Sequence, residues 1–258
     1  MRVRVGLAAL VAGIAAFGSA TGQPPPSGYL TTTPDAAQIL RPAPKEGDAR
    51  DLEDKRLYEA ARKLEGGPRW AQAQADVPYA ISNRIANFSC AVGVKLDAAS
   101  APKLALVLTR TSMDVGRLNT AAKAVYSRAR PYKRWGGTIC TEKSPALDNS
   151  FDYPSGHAQL GWGDALVVAE IAPDRAAQVL ARGRAFADSR AVCGVHTVSA
   201  VDAGMTLASA QFALTQSSPA YRADLEAARA ELAALRASGP KPDAAMCAKE
   251  AELNKSPF

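Results

Sequence analysis

Lys123 and Arg130 stand seven positions apart in KAVYSRARP, Ser155, Gly156 and His157 are consecutive in YPSGH, and Arg190 precedes His196 by six positions in SRAVCGVH. The chain holds only two histidines, and each lies in a segment that also carries donors for an anion. Seven residues make nearly two helical turns, so Lys123 and Arg130 are expected on one helical face, with Pro131 ending that helix where Arg130 reaches beyond it. Two aligned cations suit a phosphate. With Arg128, Lys133 and Arg134 close by, a solvated basic face is the plainer alternative. In YPSGH, proline and glycine set a tight turn and the apolar period that follows opens a helix, where free backbone N–H groups and the dipole favour an anion. Ser155 adds a hydroxyl donor, its plainer role being a helix cap. His157 would face the same anion. Ser189 and Arg190 close one helical pattern and Gly194 to His196 lead into another, a junction at which a histidine is ordinarily buried structure. Together the three segments can be read as parts of one phosphate-binding site.

The elements that must position these groups read as helices. From about Asp48 onward, Leu, Ile and Val recur at three- and four-residue spacings, broken at Gly66-Gly67-Pro68, Pro102, Pro131, Pro145, Pro154, Pro173 and Pro219. Alternating strand patterns are nearly absent, so eight to ten helices and an all-α fold are expected, and 258 residues suit one sizeable core. The start, MRVRVGLAALVAGIAAFGSA, has two arginines, an apolar run and a small-residue end, the pattern of a signal peptide over residues 1–20. Residues 21–47 read as a Pro-rich extended leader, 48–238 as the helical domain and 239–258 as a C-terminal tail. AYRADLEAARAELAALRAS carries a stripe at Leu225, Ala228, Leu232 and Leu235 and is expected to pack as an amphipathic helix.

Loss of Arg2 and Arg4 with the signal takes the formal charge from +6 to about +4, mildly basic, and no nucleic-acid partner is expected. No later segment is expected to span a bilayer, so no membrane partner is expected after signal cleavage. Four cysteines, Cys90, Cys140, Cys193 and Cys247, favour disulfides in an exported chain, with three pairings open. The absence of CxxC and of paired Cys/His spacing leaves no expected metal site.

Lys-x6-Arg-Pro, then Pro-Ser-Gly-His, then Ser-Arg-x5-His, carried by Lys123, Arg130 and Pro131, by Pro154 to His157, and by Ser189, Arg190 and His196, resemble the signature of the bacterial class A non-specific acid phosphatases. These belong to the type 2 phosphatidic acid phosphatase and vanadium haloperoxidase superfamily. The resemblance runs from about Asp51 to Ala228 and includes Gly161-Trp162 and the CGVH around His196. It implies a compact single-domain helical bundle and a periplasmic enzyme that needs no metal or other cofactor and hydrolyses small phosphomonoesters. It also implies roles. His196 would attack phosphorus to give a phosphohistidine, His157 would protonate the leaving oxygen, and Lys123, Arg130, Ser155, Gly156 and Arg190 would hold the phosphate oxygens. A homo-oligomer is left open.

In this family the nucleophilic histidine is followed four residues later by an aspartate that bonds its distal ring nitrogen; here position 200 is alanine. On a helix an i, i+4 residue shares the histidine's face, whereas Asp202 at i+6 points elsewhere. Three readings are open: His196 is oriented by a backbone carbonyl, by Ser199 or by water; an acid from elsewhere in the sequence replaces the missing one; or turnover is lost and oxyanion binding remains. A vanadium-dependent haloperoxidase is the further rival, since it shares the residue scaffold.

Overall fold

The computed structural model describes residues 27–258; the signal peptide read at residues 1–20 and the start of the leader lie outside the described residues. Proline sets most of the boundaries. The helices are α1 (Ala36–Ile39), α2 (Ala49–Arg62), α3 (Pro68–Ala75), α4 (Ile81–Ala86), α5 (Ser89–Val92), α6 (Pro102–Tyr126) and α7 (Pro131–Trp135), followed by α8 (Pro145–Asp148) and α9 (Gly156–Ile171). A 3-10 turn (Pro173–Arg175) then leads into α10 (Ala176–Val192), α11 (Val198–Thr215), α12 (Pro219–Ser238) and α13 (Ala244–Leu253). Pro68, Pro102, Pro131, Pro145 and Pro219 each take the first helical position, where the missing N–H costs nothing and the fixed φ suits the helix. The described residues contain no strand, so the fold is all-α.

Helix α9 is central, packed against α10, α11, α6 and α12. Two glycines let the backbones close. A Cβ on Gly183 would lie 2.2 Å from the Ala165 side chain, and one on Gly204 would lie 2.4 Å from the carbonyl oxygen of Ser155. The second contact holds the start of α9 against α11, which brings YPSGH up to the segment that carries His196. The largest apolar cluster lies where α6, α9 and α12 meet, and α12 contributes Tyr221, Leu225, Ala228 and Leu232 from its apolar stripe. Burying one such leucine contributes roughly 1.5–3 kcal/mol.

Residues ahead of α2 are tied to this core. Tyr29 N donates to Asp114 Oδ2 at 2.7 Å, and the Tyr29 ring packs edge-on against Tyr221 at 5.2 Å. The tail, unread from the sequence beyond its cysteine, forms α13. Disulfides join Cys90 to Cys247 and Cys140 to Cys193, which selects one of the three pairings. The first pins α13 to α5; the second ties the loop after α7 to the turn ahead of His196. No helix among the described residues is long and apolar enough to cross a membrane.

Candidate active site

Helix α6 ends at Tyr126, four residues short of Arg130, which corrects the expectation that Lys123 and Arg130 share a helical face. The helix is already broken at Ser127 (φ 1°, ψ 37°), and Pro131 adds a second constraint, disfavouring helical geometry in Arg130, which is extended at φ −66° and ψ 149°. The two cations converge nonetheless. Lys123 Nζ donates to the carbonyl of Phe151 at 2.5 Å and to Ser150 Oγ at 3.3 Å, while Arg130 Nε donates to the carbonyl of Ser150 at 2.9 Å. Both are thus held by residues 150–151, immediately ahead of YPSGH.

His196 lies in the turn between α10 and α11, 3% exposed. Gly194 gives that turn its shape at φ +81°, a left-handed conformation that side chains rarely adopt, and a Cβ there would lie 2.4 Å from Arg62 Nη1. The carbonyl of Arg190 accepts from the N–H groups of Val195 at 3.2 Å and His196 at 3.3 Å, so the turn folds back over the end of α10. The imidazole Nδ1 is 2.7 Å from the carbonyl oxygen of Asp152 and 3.1 Å from Asp152 Oδ1. Both partners are acceptors, so Nδ1 carries the proton and Nε2 presents its lone pair. Arg130 Nη1 donates to Nε2 at 3.0 Å and to the carbonyl of Val195 at 2.8 Å. Burial, followed by Arg130, Lys123, Arg190 and His157, holds the His196 pKa well below the usual histidine range, which favours the neutral ring.

Arg190, in the last turn of α10, is 3% exposed, and its Nε and Nη1 have no hydrogen-bond partner among the described residues. Burial and Arg130 lower its pKa to about 10, which still leaves it cationic at working pH. Leaving buried guanidinium donors unmade is expensive, and such donors are of the kind that pair with an oxyanion. Burial and the neighbouring Arg130 bring Lys123 down to about 7. His157, in the first turn of α9, is taken down to about 3, first by burial and then by Arg190. Its Nε2 lies 3.2 Å from the carbonyl of Val77, and its ring meets Tyr79 edge-on at 5.2 Å. Each histidine's proton affinity is thus lowered by the same three cations, Lys123, Arg130 and Arg190.

Ser155 caps α9: its Oγ accepts from Ala158 N at 3.3 Å and its carbonyl accepts from Gln159 N at 3.0 Å. The capping oxygen keeps its own proton free to donate. The N–H groups of Gly156 and His157 fall in the first helical turn, which has no intrahelical acceptors for them. Ser189 faces elsewhere: its Oγ donates to Asp76 Oδ2 at 2.6 Å and accepts from Arg69 Nη1 at 2.9 Å, stiffening the turn that ends in Arg190.

The expected helical geometry around position 200 is also corrected. Thr197 caps α11, so His196 precedes the helix, and Ala200 is fully buried against Leu118, Ala122, Tyr153 and Leu207. Ser199 is engaged with Asp54, its Oγ donating to Asp54 Oδ2 at 2.5 Å, and Asp202 lies 3.9 Å from Arg184. The group on His196 Nδ1 is Asp152, which sequence reasoning missed. Its signal was an acid two residues ahead of the proline of YPSGH. Among the described residues, no group of three or more His, Cys, Asp and Glu is arranged to hold a metal.

A family profile described as the PAP2 superfamily matches residues 103–223, the stretch that contains every group above from Lys123 to His196. An acid phosphatase of Zymomonas mobilis is 36% identical over 250 residues, covering 93% of this chain and 93% of its own. The chain belongs to the acid phosphatases of the PAP2 superfamily. The non-specific acid phosphatase of Providencia stuartii is 35% identical, covering 82% of this chain and 91% of its own; that of Salmonella typhimurium is also 35% identical, with 75% and 78% covered. The three cations and two histidines lie together between α6, α9, α10 and the start of α11, within the matched stretch.

Proposed function

We propose that this acid phosphatase hydrolyses small phosphomonoesters through a phosphohistidine on Nε2 of His196, with His157 as general acid. The observation that carries the reading is the juxtaposition of a buried imidazole whose proton is held on Nδ1 with the unpartnered donors of the neighbouring Arg190. Nε2 attacks phosphorus, the ester P–O bond breaks, and the leaving oxygen takes a proton from His157. Water then attacks the phosphohistidine, gives its proton to His157 and releases phosphate. Splitting one displacement into two lowers each barrier.

The cations carry the electrostatic load. Lys123, Arg130 and Arg190, with Ser155 Oγ and the Gly156 N–H, take the non-bridging oxygens, and the charge they stabilise grows towards the transition state. Arg130 must share its Nη1 between Nε2 and phosphate, which steers the phosphorus towards the lone pair. Burial and, after it, the three cations suppress protonation of His157; a bound phosphate offsets the cations and raises the pKa, favouring the acid form when substrate is present. With Nε2 against the Val77 carbonyl, Nδ1 of His157 is the nitrogen that exchanges the proton.

These steps use the protein's own cations, and we propose that turnover needs no metal. Export to the periplasm, resting on the signal read at residues 1–20, is part of the same proposal. The test is hydrolysis of p-nitrophenyl phosphate from pH 4 to 8 in excess EDTA, with and without vanadate. Vanadate-sensitive turnover in EDTA supports the reading; turnover that appears only with added metal, or only as halide oxidation with vanadate and peroxide, overturns it.

A further inference from the structure

Asp152 is fully buried, yet it is surrounded by donors. Its Oδ1 accepts from Thr197 N at 3.0 Å, its Oδ2 accepts from Thr197 Oγ1 at 2.7 Å and Arg128 Nη1 at 3.2 Å, and its own N–H donates to the carbonyl of Arg128 at 2.8 Å. With His196 Nδ1, four donors converge on one carboxyl group, and a protonated carboxyl has too few acceptor sites for them. Arg128 also binds Asp51 Oδ1 at 2.6 Å and Asp54 Oδ2 at 2.8 Å, while Arg134 binds Asp51 again at 2.6 Å. Three carboxylates therefore share two guanidiniums, and His196 Nδ1 is a further donor on the Asp152 carboxyl.

We propose that Asp152 is the positioning residue of the nucleophile, holding the Nδ1 proton of His196 from the loop ahead of YPSGH and so doing the work that Ala200 cannot. Two atoms divide the task. The backbone carbonyl, at 2.7 Å, fixes the tautomer and the ring plane, and the carboxylate, at 3.1 Å, stabilises the positive ring that forms as Nε2 bonds to phosphorus. This rests on the phosphohistidine reading, and it separates two of the readings left open from sequence by making both true: a carbonyl and a distant acid, on one residue.

The experiment has two parts. In the wild-type protein, nitrogen-15 NMR of the imidazoles, with H157Q to assign the two rings, reads the tautomer without substrate. A proton on Nδ1 of His196 with a strongly downfield resonance is expected; a proton on Nε2 overturns the proposal whether or not any variant folds. Asp152→Asn then keeps the shape and the backbone carbonyl but removes the charge. Its kcat is expected to fall by about 100-fold or more, within the ten-thousandfold lost by the analogous change in a serine-protease triad. KM and vanadate affinity should stay within about threefold, because the cations that bind phosphate are untouched, and the Nδ1 proton should move upfield. A folded variant with kcat within about threefold of wild type overturns the proposal. Failure of the phosphohistidine reading looks different, as a wild-type enzyme that turns over without phosphorylating His196.

Discussion

Ala200→Asp restores the residue that the family resemblance expects, and the structure predicts that it harms the protein. The Ala200 side chain has no exposure and faces Leu118, Ala122, Tyr153 and Leu207. A carboxylate there is ionised at a penalty of several kcal/mol or stays protonated. Holding it neutral at pH 6, against an unfolded-state pKa near 3.9, costs about 3 kcal/mol. Added volume in a packed cluster costs about 1–3 kcal/mol more. At roughly 2–4 °C per kcal/mol for a domain of this size, the melting temperature should drop by about 10–20 °C at pH 6. The pH dependence carries the diagnosis. The folded-state pKa is raised, so the folded form holds a proton that the unfolded chain releases above about pH 3.9, and the deficit against wild type should widen as pH rises from 4 to 6. No gain in kcat is expected, because Asp152 already holds the Nδ1 proton. Melting curves at pH 4, 5 and 6 with parallel kinetics decide the matter. A variant that melts with wild type and turns over faster would falsify this placement of the orienting group.

Other outcomes follow from the charges. Lys123, with its pKa lowered to about 7, is cationic below that value and neutral above it, so kcat/KM should fall as pH rises through about 7. Lys123→Arg stays charged and should carry the falling limb to higher pH; an unchanged limb assigns it to another group. Arg190→Gln removes donors that have no partner among the described residues and should lower kcat by about 100- to 1,000-fold, with a melting temperature at or above that of wild type, since it relieves a buried charge. Retained kcat would place the phosphate away from α10. His157 should titrate well above its empty-site value of about 3 once vanadate is bound, a shift that NMR reads directly; no shift on binding contradicts its role as the acid.

The helical frame was legible because its punctuation is chemical. Five prolines sit at the first position of a helix, and the stripe on α12 buries Leu225, Ala228 and Leu232 as its spacing demands. At Arg130 the same punctuation is incomplete: Pro131 marks a boundary after Arg130, but the chain leaves helical geometry at Tyr126, and the two cations meet through the carbonyls of residues 150–151 rather than through helical period. Asp152 was missed for a related reason. Sequence leaves room for an acid from elsewhere but no spacing that names it: helical period from His196 points to position 200, whereas the helix begins only at Val198 and the acid arrives from 44 positions earlier through the loop ahead of α9. Partners brought together by tertiary packing leave no period in the sequence. The cysteine pairing was hidden on the same ground, since four thiols fit three patterns until α13 is seen against α5.

The most direct test of the phosphohistidine mechanism is to mix enzyme with a phosphorus-32 phosphomonoester, quench within milliseconds in alkaline denaturant, and map the labelled peptide. A label that survives alkali, is lost in acid and lies on His196, absent from His196→Ala together with turnover, is the predicted result. Full hydrolysis with no labelled histidine, or with activity retained in His196→Ala, would contradict it.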